Sequence, residues 1–229
     1  MAVVPRLLAI ATAVPPYPLD QTDVIERVKL LFGRSPDLDR LLPVFLNTGI
    51  HRRYSCVPIE WYERPHGWSE RNRIYLDSAL DLLEAATKRL LCLTGRHKGE
   101  IDSIVVASTT GIATPSLDAR LIERMGLRST VRRLPIFGLG CAGGVIGLAR
   151  AASQAAVTPG ETVLFLVVEL CALSFRRRFV EEQYRGNGSV RRRRRCGTAV
   201  NRWEGPGPGR LGRTYLAQEP RRDGLGNHR

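Results

Sequence analysis

The stretch LPIFGLGCAGGVIGLARA, residues 134–151, contains the pattern on which the fold assignment depends. An apolar segment, predicted to be a strand over 131–137, runs into a glycine-rich turn and then into a helix of small residues at 145–156. Cys141 stands between glycines where the strand gives way to the helix, and glycines permit a tight turn there. The partial positive charge of a helix N-terminus stabilises a thiolate. The motif therefore makes Cys141 a candidate nucleophile, although a small structural cysteine would suit the same turn.

Strand and helix patterns alternate on both sides of this motif. IDSIVVAS, residues 101–108, is a β-branched run of the kind that is buried on both faces in an α/β sheet. A long helix is predicted from Ser69 to Leu93, because its apolar residues recur about every 3.6 positions and Gly95 stands at its end. The other predicted elements are strands at 7–13 and 161–170 and helices at 20–34, 37–46 and 116–126. This order predicts a layered α/β fold.

The positive charge of the chain is concentrated at its C-terminal end. The formal net charge is +13 over 229 residues. Residues 1–175 hold 20 Lys and Arg against 17 Asp and Glu, whereas residues 176–229 hold 15 Arg against 5 acids. The second segment is rich in Arg, Gly and Pro and has no amphipathic period. We therefore predict one globular domain over 1–175 and an irregular, disordered basic tail over 176–229.

Composition and spacing argue against several classes of protein. No apolar run reaches the roughly 18 residues of a membrane-spanning helix. Three prolines after the apolar start favour a first strand over a signal peptide, so a soluble cytoplasmic protein is predicted. An odd number of cysteines without a Cys-x-x-Cys pair predicts reduced thiols, with neither a disulfide framework nor a metal site. The cysteines are Cys56, Cys92, Cys141, Cys171 and Cys196.

Four separated segments resemble one enzyme family. They are the motif at 134–151, FLNTGIHRRY at 45–54, IDSIVVASTTGIATPSLD at 101–118 and ETVLFLVVELCALSFR at 161–176. In order and spacing they resemble the type III polyketide synthases of the chalcone/stilbene synthase kind, in their bacterial branch. The resemblance implies a thiolase-like layered fold, of which this chain would be the N-terminal half. A ketoacyl-ACP synthase III or thiolase relative is the rival enzyme, but the CAGG context and the VVELCALSF strand favour the polyketide branch.

The resemblance assigns Cys141 as the nucleophile. In this family the cysteine accepts a starter acyl group from coenzyme A and holds the growing chain as a thioester. The expected substrates are acyl-CoA and malonyl-CoA, with no cofactor, and the expected assembly is a homodimer. Arg52 and Arg53 could steer an anionic CoA ester, although a solvated surface pair is the simpler interpretation.

Five further positions match residues that surround the substrate in the family. Thr109 and Thr110 resemble residues lining the elongation cavity, and Thr114 matches a position that reaches across the dimer interface into the partner's cavity. Cys171 and Ser174 match two pocket-lining positions, and a cysteine at 171 resembles the bacterial members. Each of these residues could also serve packing alone.

The catalytic set of the family is expected to be incomplete in this chain. Decarboxylation and condensation also use a histidine and an asparagine that stabilise the developing oxyanion, and both belong to the family's second half. The chain has four histidines, none in a matching motif: His51, His66, His97 and His228. The sequence therefore predicts a truncated acyltransferase that is inactive alone. A noncatalytic binding or regulatory protein that retains a thiolase half is the rival from another class.

A frameshift is our interpretation of the tail. Codons for Arg185–Gly197 can be chosen that, read one base later, spell AATALFGDGAAA, a segment similar to the one that follows here in the family. The shift would lie near 176–180, and the coding DNA tests it. The arginine run at 191–195 would bind nucleic acid only nonspecifically, through phosphates, because no binding motif accompanies it.

Overall fold

The computed structural model describes residues 4–33 and 36–175. The predicted tail at 176–229, with its arginine run and the frameshift hypothesis, lies outside the described residues. The strands are β1 Tyr17–Asp20, β2 Arg52–Ser55, β3 Ser103–Ser108, β4 Arg132–Phe137 and β5 Val163–Val167. The helices are α1 Gln21–Phe32, α2 Pro36–Asn47, α3 Trp68–Thr94, α4 Leu117–Met125 and α5 Gly143–Val157. Short 3-10 turns lie at Ile59–Glu63, Lys98–Glu100, Gly140–Ala142 and Cys171–Ser174.

A parallel sheet in the order β4-β3-β5 lies at the centre of the domain. All six residues of β3 are buried, as expected for a β-branched run with a strand on each side. In register, Ser108 at the end of β3 lies opposite Phe137 of β4, and Ala107 lies opposite Val167 of β5. The carboxyl ends of the three strands therefore meet at one edge of the sheet, as the predicted α/β fold requires.

Helix α3 provides the largest helical contribution to the core. Tyr75, Ala79, Leu83 and Thr87 recur every four residues and are all buried. The helix ends at Gly95, whose φ of 64° is a left-handed conformation that glycine adopts without a Cβ clash. The helix and its end at Gly95 confirm the sequence prediction. Much of the expected apolar stripe, which included Ile74, Leu80 and Leu90, is only half-buried beside the fully buried face.

Helix α5 packs tightly on the sheet along one face and is exposed on another. Gly143, Gly147 and Ala151 form the buried face, and a Cβ added at Gly147 would lie 2.5 Å from the Phe165 ring of β5. The absence of a side chain is therefore what allows the helix to approach β5. On another face of the helix Val145 is 76% exposed.

The predicted strand at 7–13 is wrong. The structure has no strand over residues 4–15, and the large apolar side chains of this segment, such as Leu7 and Ile10, are exposed. An apolar run becomes a strand only beside another strand, and among the described residues neither β4 nor β5 pairs with this segment. Instead β1 pairs antiparallel with β2, and an Arg52–Asp20 ion pair of 2.9 Å closes the short ribbon. The other predicted strands and helices are present, with ends shifted by a few residues.

Candidate active site

Three loops leave the carboxyl edge of the parallel sheet and carry every predicted site residue. Residues 109–116 follow β3, residues 138–142 follow β4, and residues 168–175 follow β5. In open α/β sheets, ligands bind in the crevice outside the carboxyl ends of the strands. The topology therefore places the predicted nucleophile and the predicted pocket residues at the edge where a ligand site is expected.

Cys141 lies in the 3-10 turn between β4 and α5, and its side chain is exposed. Gly138 and Gly140 have φ values of 84° and 52°, so the turn uses two left-handed positions that favour glycine. The backbone N–H of Gly140 donates to Thr109 Oγ1 at 3.0 Å. Thr109 thus holds the turn that presents the cysteine, and Cys141 stands directly before the N-terminal end of α5.

Thr110 connects the loop after β3 with the segment after β5. Its backbone N–H donates to the Glu169 carboxylate at 3.1 Å, and its hydroxyl donates to the same oxygen. The hydroxyl oxygen also accepts from the Leu170 N–H at 3.0 Å. Sequence reasoning missed Glu169, whose one signal is a carboxylate at the end of an apolar strand run.

Cys171 and Ser174 lie together in the 3-10 turn that follows β5. The Ser174 hydroxyl donates to the Cys171 carbonyl at 2.7 Å, and Thr110 Oγ1 lies 3.9 Å from Cys171 Sγ. Both side chains are exposed. The structure therefore brings Thr110 and Cys171 close together, but of the predicted pocket residues only Cys171 lines the cavity described below, and the cavity role of Thr109, Thr110 and Ser174 stays a prediction.

Thr114 lies apart from these residues. Its side chain is exposed, and its carbonyl accepts from Arg120 Nη2 at 3.0 Å, next to the cis bond to Pro115. The described contacts do not join Thr114 to Thr109, Thr110 or Cys171. Its role at a dimer interface stays a prediction.

A cavity of about 460 Å³ opens beside Cys171. Apolar side chains of α1, together with Tyr62 and Phe175, form much of its wall, and Arg53, Cys56 and Glu169 supply polar atoms. Cys141 is not among the lining residues. Its turn is bonded to Thr109, and the next residue, Thr110, is bonded to Glu169 on the cavity wall. Arg52 is an exposed surface residue, whereas Arg53 lines the cavity and donates to Gln21 Oε1 at 2.9 Å.

Burial sets the chemistry of two groups on the cavity wall. Burial raises the pKa of the Cys56 thiol, although a hydrogen bond from Ser78 acts in the opposite direction. Burial also raises the pKa of the Tyr62 hydroxyl, against a hydrogen bond with Ser55. Both groups therefore stay neutral at physiological pH, and Cys56 is a poor nucleophile.

The described residues form neither a metal-binding cluster nor a membrane-spanning helix. Within the ranges 4–33 and 36–175, no three His, Cys, Asp or Glu side chains gather closely enough to hold a metal ion. None of the helices in those ranges is both long and apolar enough to cross a membrane.

Comparison with known families decides the identity of the fold. The family model described as "Chalcone and stilbene synthases, N-terminal domain" matches residues 3–189. The chain belongs to this family. The type III polyketide synthase resemblance expected from four sequence segments is confirmed, and with it the thiolase-like α/β fold.

Bacterial synthases of this family are similar to the chain over about half of their own length. The 1,3,6,8-tetrahydroxynaphthalene synthase of Streptomyces peucetius is 40% identical over 171 residues, which cover 74% of this chain and 45% of that protein. The corresponding synthase of Streptomyces griseus is 33% identical over 165 residues, 72% of this chain and 44% of its own. The crystal structure of the enzyme from Streptomyces coelicolor A3(2) superposes with a TM-score of 0.70 at 31% identity, covering 73% of this chain and 48% of that chain.

Proposed function

We propose that this chain carries the acyl-loading function of a type III polyketide synthase, in which Cys141 accepts an acyl group from an acyl-CoA thioester. The observation that carries the proposal is the position of Cys141. It is an exposed thiol at the carboxyl edge of a parallel sheet, in a turn anchored by Thr109, directly before a 15-residue helix. A structural cysteine would be expected among the buried residues instead.

The loading step is a thioester exchange. The Cys141 sulfur attacks the carbonyl carbon of acyl-CoA, and the tetrahedral intermediate then breaks its bond to the CoA sulfur. The CoA thiolate leaves and takes up the proton that the cysteine has lost. The N–H of Gly143, the first residue of α5, donates to the Gly140 carbonyl, so we assign stabilisation of the developing oxyanion to the N–H groups that follow it at the start of the helix.

The cavity beside Cys171 is the proposed site for the acyl chain. Its wall is mainly apolar, with polar side chains that include Glu169 and Arg53. Arg53 provides a positive charge for the anionic part of a CoA ester. Cys171, Ser174, Thr109 and Thr110 are the proposed substrate-contacting residues of this chain.

The condensation step and the dimer contact of the family would need parts that lie outside this single chain. Condensation with malonyl-CoA would need the histidine and asparagine that the family provides from its second half. The Thr114 contact would need a second copy of the chain as a homodimer. We propose that this chain by itself is inactive in chain extension but retains acyl loading, in a cytoplasmic setting and without a cofactor.

Release of free CoA in a single turnover tests the proposal. The purified chain is mixed with excess hexanoyl-CoA, and free CoA is quantified by liquid chromatography. We expect about one CoA per chain at most, and close to none for Cys141→Ser. Cys92→Ser is the matched control, because Cys92 is also an exposed thiol but lies on α3.

The rival noncatalytic function predicts a different outcome. A binding module would retain hexanoyl-CoA intact, so equilibrium dialysis would detect binding while no CoA is released. The same CoA release from Cys141→Ser as from the unmodified chain would contradict the proposal.

A further inference from the structure

Arg71, in the first turns of α3, binds the segment that carries Cys171. Its Nη1 donates to the carbonyl of Leu173 at 2.6 Å and to that of Phe175 at 2.7 Å. Its Nε donates to the His66 carbonyl at 2.9 Å, and the guanidinium carbon lies 5.0 Å from the ring centroid of Trp61. One charged side chain thus joins the end of the 168–175 segment to the start of a long helix, across about 100 residues of chain.

The next residue, Asn72, binds the other loop. Its Nδ2 donates to the Ile112 carbonyl at 2.9 Å, and its Oδ1 accepts from the Ile112 N–H, also at 2.9 Å. Both backbone polar groups of one loop residue are therefore satisfied by one side chain. Ile112 lies in the 109–116 loop, two residues after Thr110.

A third contact, about one helical turn further along α3, reaches the base of both loops. The Tyr75 hydroxyl lies 2.6 Å from Ser108 Oγ, which donates to the Val168 carbonyl at 2.6 Å. The same tyrosine ring packs so closely on Gly111 that a Cβ there would lie 2.2 Å from it. The N-terminal end of α3 thus contacts the 109–116 loop through Asn72 and Tyr75. It contacts the 168–175 segment directly through Arg71 and indirectly, from Tyr75, through Ser108.

We propose that Arg71 and Asn72 are positioning residues. They fix the cavity-lining 168–175 segment relative to the 109–116 loop, which is hydrogen-bonded to it through Thr110, and so determine which acyl chains the cavity admits. This inference rests on the proposed function of the site. Neither residue lines the cavity, whereas Cys171 and Phe175 do. The effect of Arg71 on a substrate is therefore indirect, through the carbonyls on either side of Ser174.

The shape of the cavity can be measured without any catalytic step, because Cys171 is on its wall. The full chain is treated with N-ethyl-, N-hexyl- and N-dodecylmaleimide, and the rate of modification at Cys171 is followed by peptide mass spectrometry. Each rate is divided by that of glutathione, a thiol without a cavity. The dependence of this ratio on alkyl length reports the fit of a chain into the cavity.

The variants separate positioning from general stability. Arg71→Met and Asn72→Ala each remove one set of contacts, and Arg71→Lys keeps the charge but loses the planar fork. Arg73→Met is the matched control, since Arg73 is an exposed arginine on the same helix whose ion pair with Asp77 is long, at 3.7 Å. Circular dichroism checks the fold of each variant.

We compare the relative rate at Cys171 for the dodecyl reagent with that for the ethyl reagent. This dodecyl-to-ethyl ratio should fall by about fivefold in Arg71→Met and in Asn72→Ala, the effect of losing a hydrogen-bonded anchor. Arg71→Lys should show an intermediate value, and Arg73→Met should equal the unmodified chain. Folded Asn72→Ala and Arg71→Lys chains with an unchanged length dependence would overturn the inference, even if Arg71→Met does not fold.

Acyl loading supplies a second measurement, which separates failure of the proposed function from failure of the loop-positioning role. If the unmodified chain loads acyl groups, the Arg71 and Asn72 variants should change the half-saturating concentration across a butyryl- to dodecanoyl-CoA series, with the saturating rate kept within about twofold. If the unmodified chain releases no CoA, the proposed function is wrong. A length dependence at Cys171 that is still lost in the variants would then support the loop-positioning role by itself.

Discussion

Gly111→Ala provides the most direct test of how tightly α3 holds the loop after β3. The added Cβ would lie 2.2 Å from Cδ1 of Tyr75, far inside van der Waals contact. Tyr75 is 1% exposed and its hydroxyl is bonded to Ser108, so the ring cannot move without losing that bond. Overpacking costs about 1–3 kcal/mol, and a lost buried hydrogen bond costs about the same. We therefore expect the free energy of unfolding to fall by about 2–6 kcal/mol.

Urea unfolding followed by far-UV circular dichroism measures this change. Gly144→Ala is the matched control, because a Cβ at Gly144 would have no neighbour within 4 Å. The control lies in α5 and should be neutral or stabilise the protein by up to about 1 kcal/mol. A Gly111→Ala chain within about 0.5 kcal/mol of the unmodified protein would refute the packing argument.

Three further predictions concern single side chains. Because burial raises the pKa of Cys56, its reaction with maleimide should be slow at pH 8 and should continue to accelerate above the pH range in which ordinary thiols ionise. Peptide mass spectrometry across a pH series measures the rate. A rate that reaches a plateau near pH 8 would contradict the prediction. The N–H of Thr162, bonded to the Asp102 carboxylate at 2.8 Å, is the largest cause that lowers the pKa of that group. Asp102→Asn should therefore lower the free energy of unfolding at neutral pH, and the difference should fade below about pH 4 as the carboxylate protonates in the folded protein; a pH-independent difference would refute this. Thr109→Val removes the acceptor that holds the turn of Cys141, so single-turnover CoA release should slow by about fivefold with the unfolding curve little changed, whereas an unchanged rate would show that the bond is dispensable.

The parts of the fold that depend on local pattern were predictable from the sequence. The apolar run of β3 indicates a strand that is buried on both faces, and Gly95 marks the end of α3 through its backbone preference. The periodicity of α3 predicts a helix, but its fully buried face includes Tyr75 and Thr87, which the apolar stripe did not indicate. The strand at 7–13 failed because an apolar run does not reveal its hydrogen-bonding neighbour. The β1–β2 ribbon was missed for a related reason, since strands of four residues that pair across about 35 positions carry almost no local signal.

The candidate site likewise contains residues that the sequence predicts and residues that it does not reveal. Cys141 was found because its glycine-rich turn is a contiguous motif. Glu169, Arg71 and Asn72 were not found, because their contacts reach 40 to 104 residues along the chain and end on backbone atoms that any residue type provides. Side chains that position a site through backbone carbonyls therefore need the structure to be identified.

The location of the acyl group on the protein tests the central claim most directly. The chain is incubated with hexanoyl-CoA, quenched in acid and digested, and the peptides are mapped by mass spectrometry before and after hydroxylamine treatment. The account predicts a hydroxylamine-sensitive hexanoyl group on the peptide of Cys141, with none on Cys171 or Cys92. Acylation that is absent, or equal at Cys141 and Cys92, would contradict the assignment of Cys141 as the acyl-accepting nucleophile.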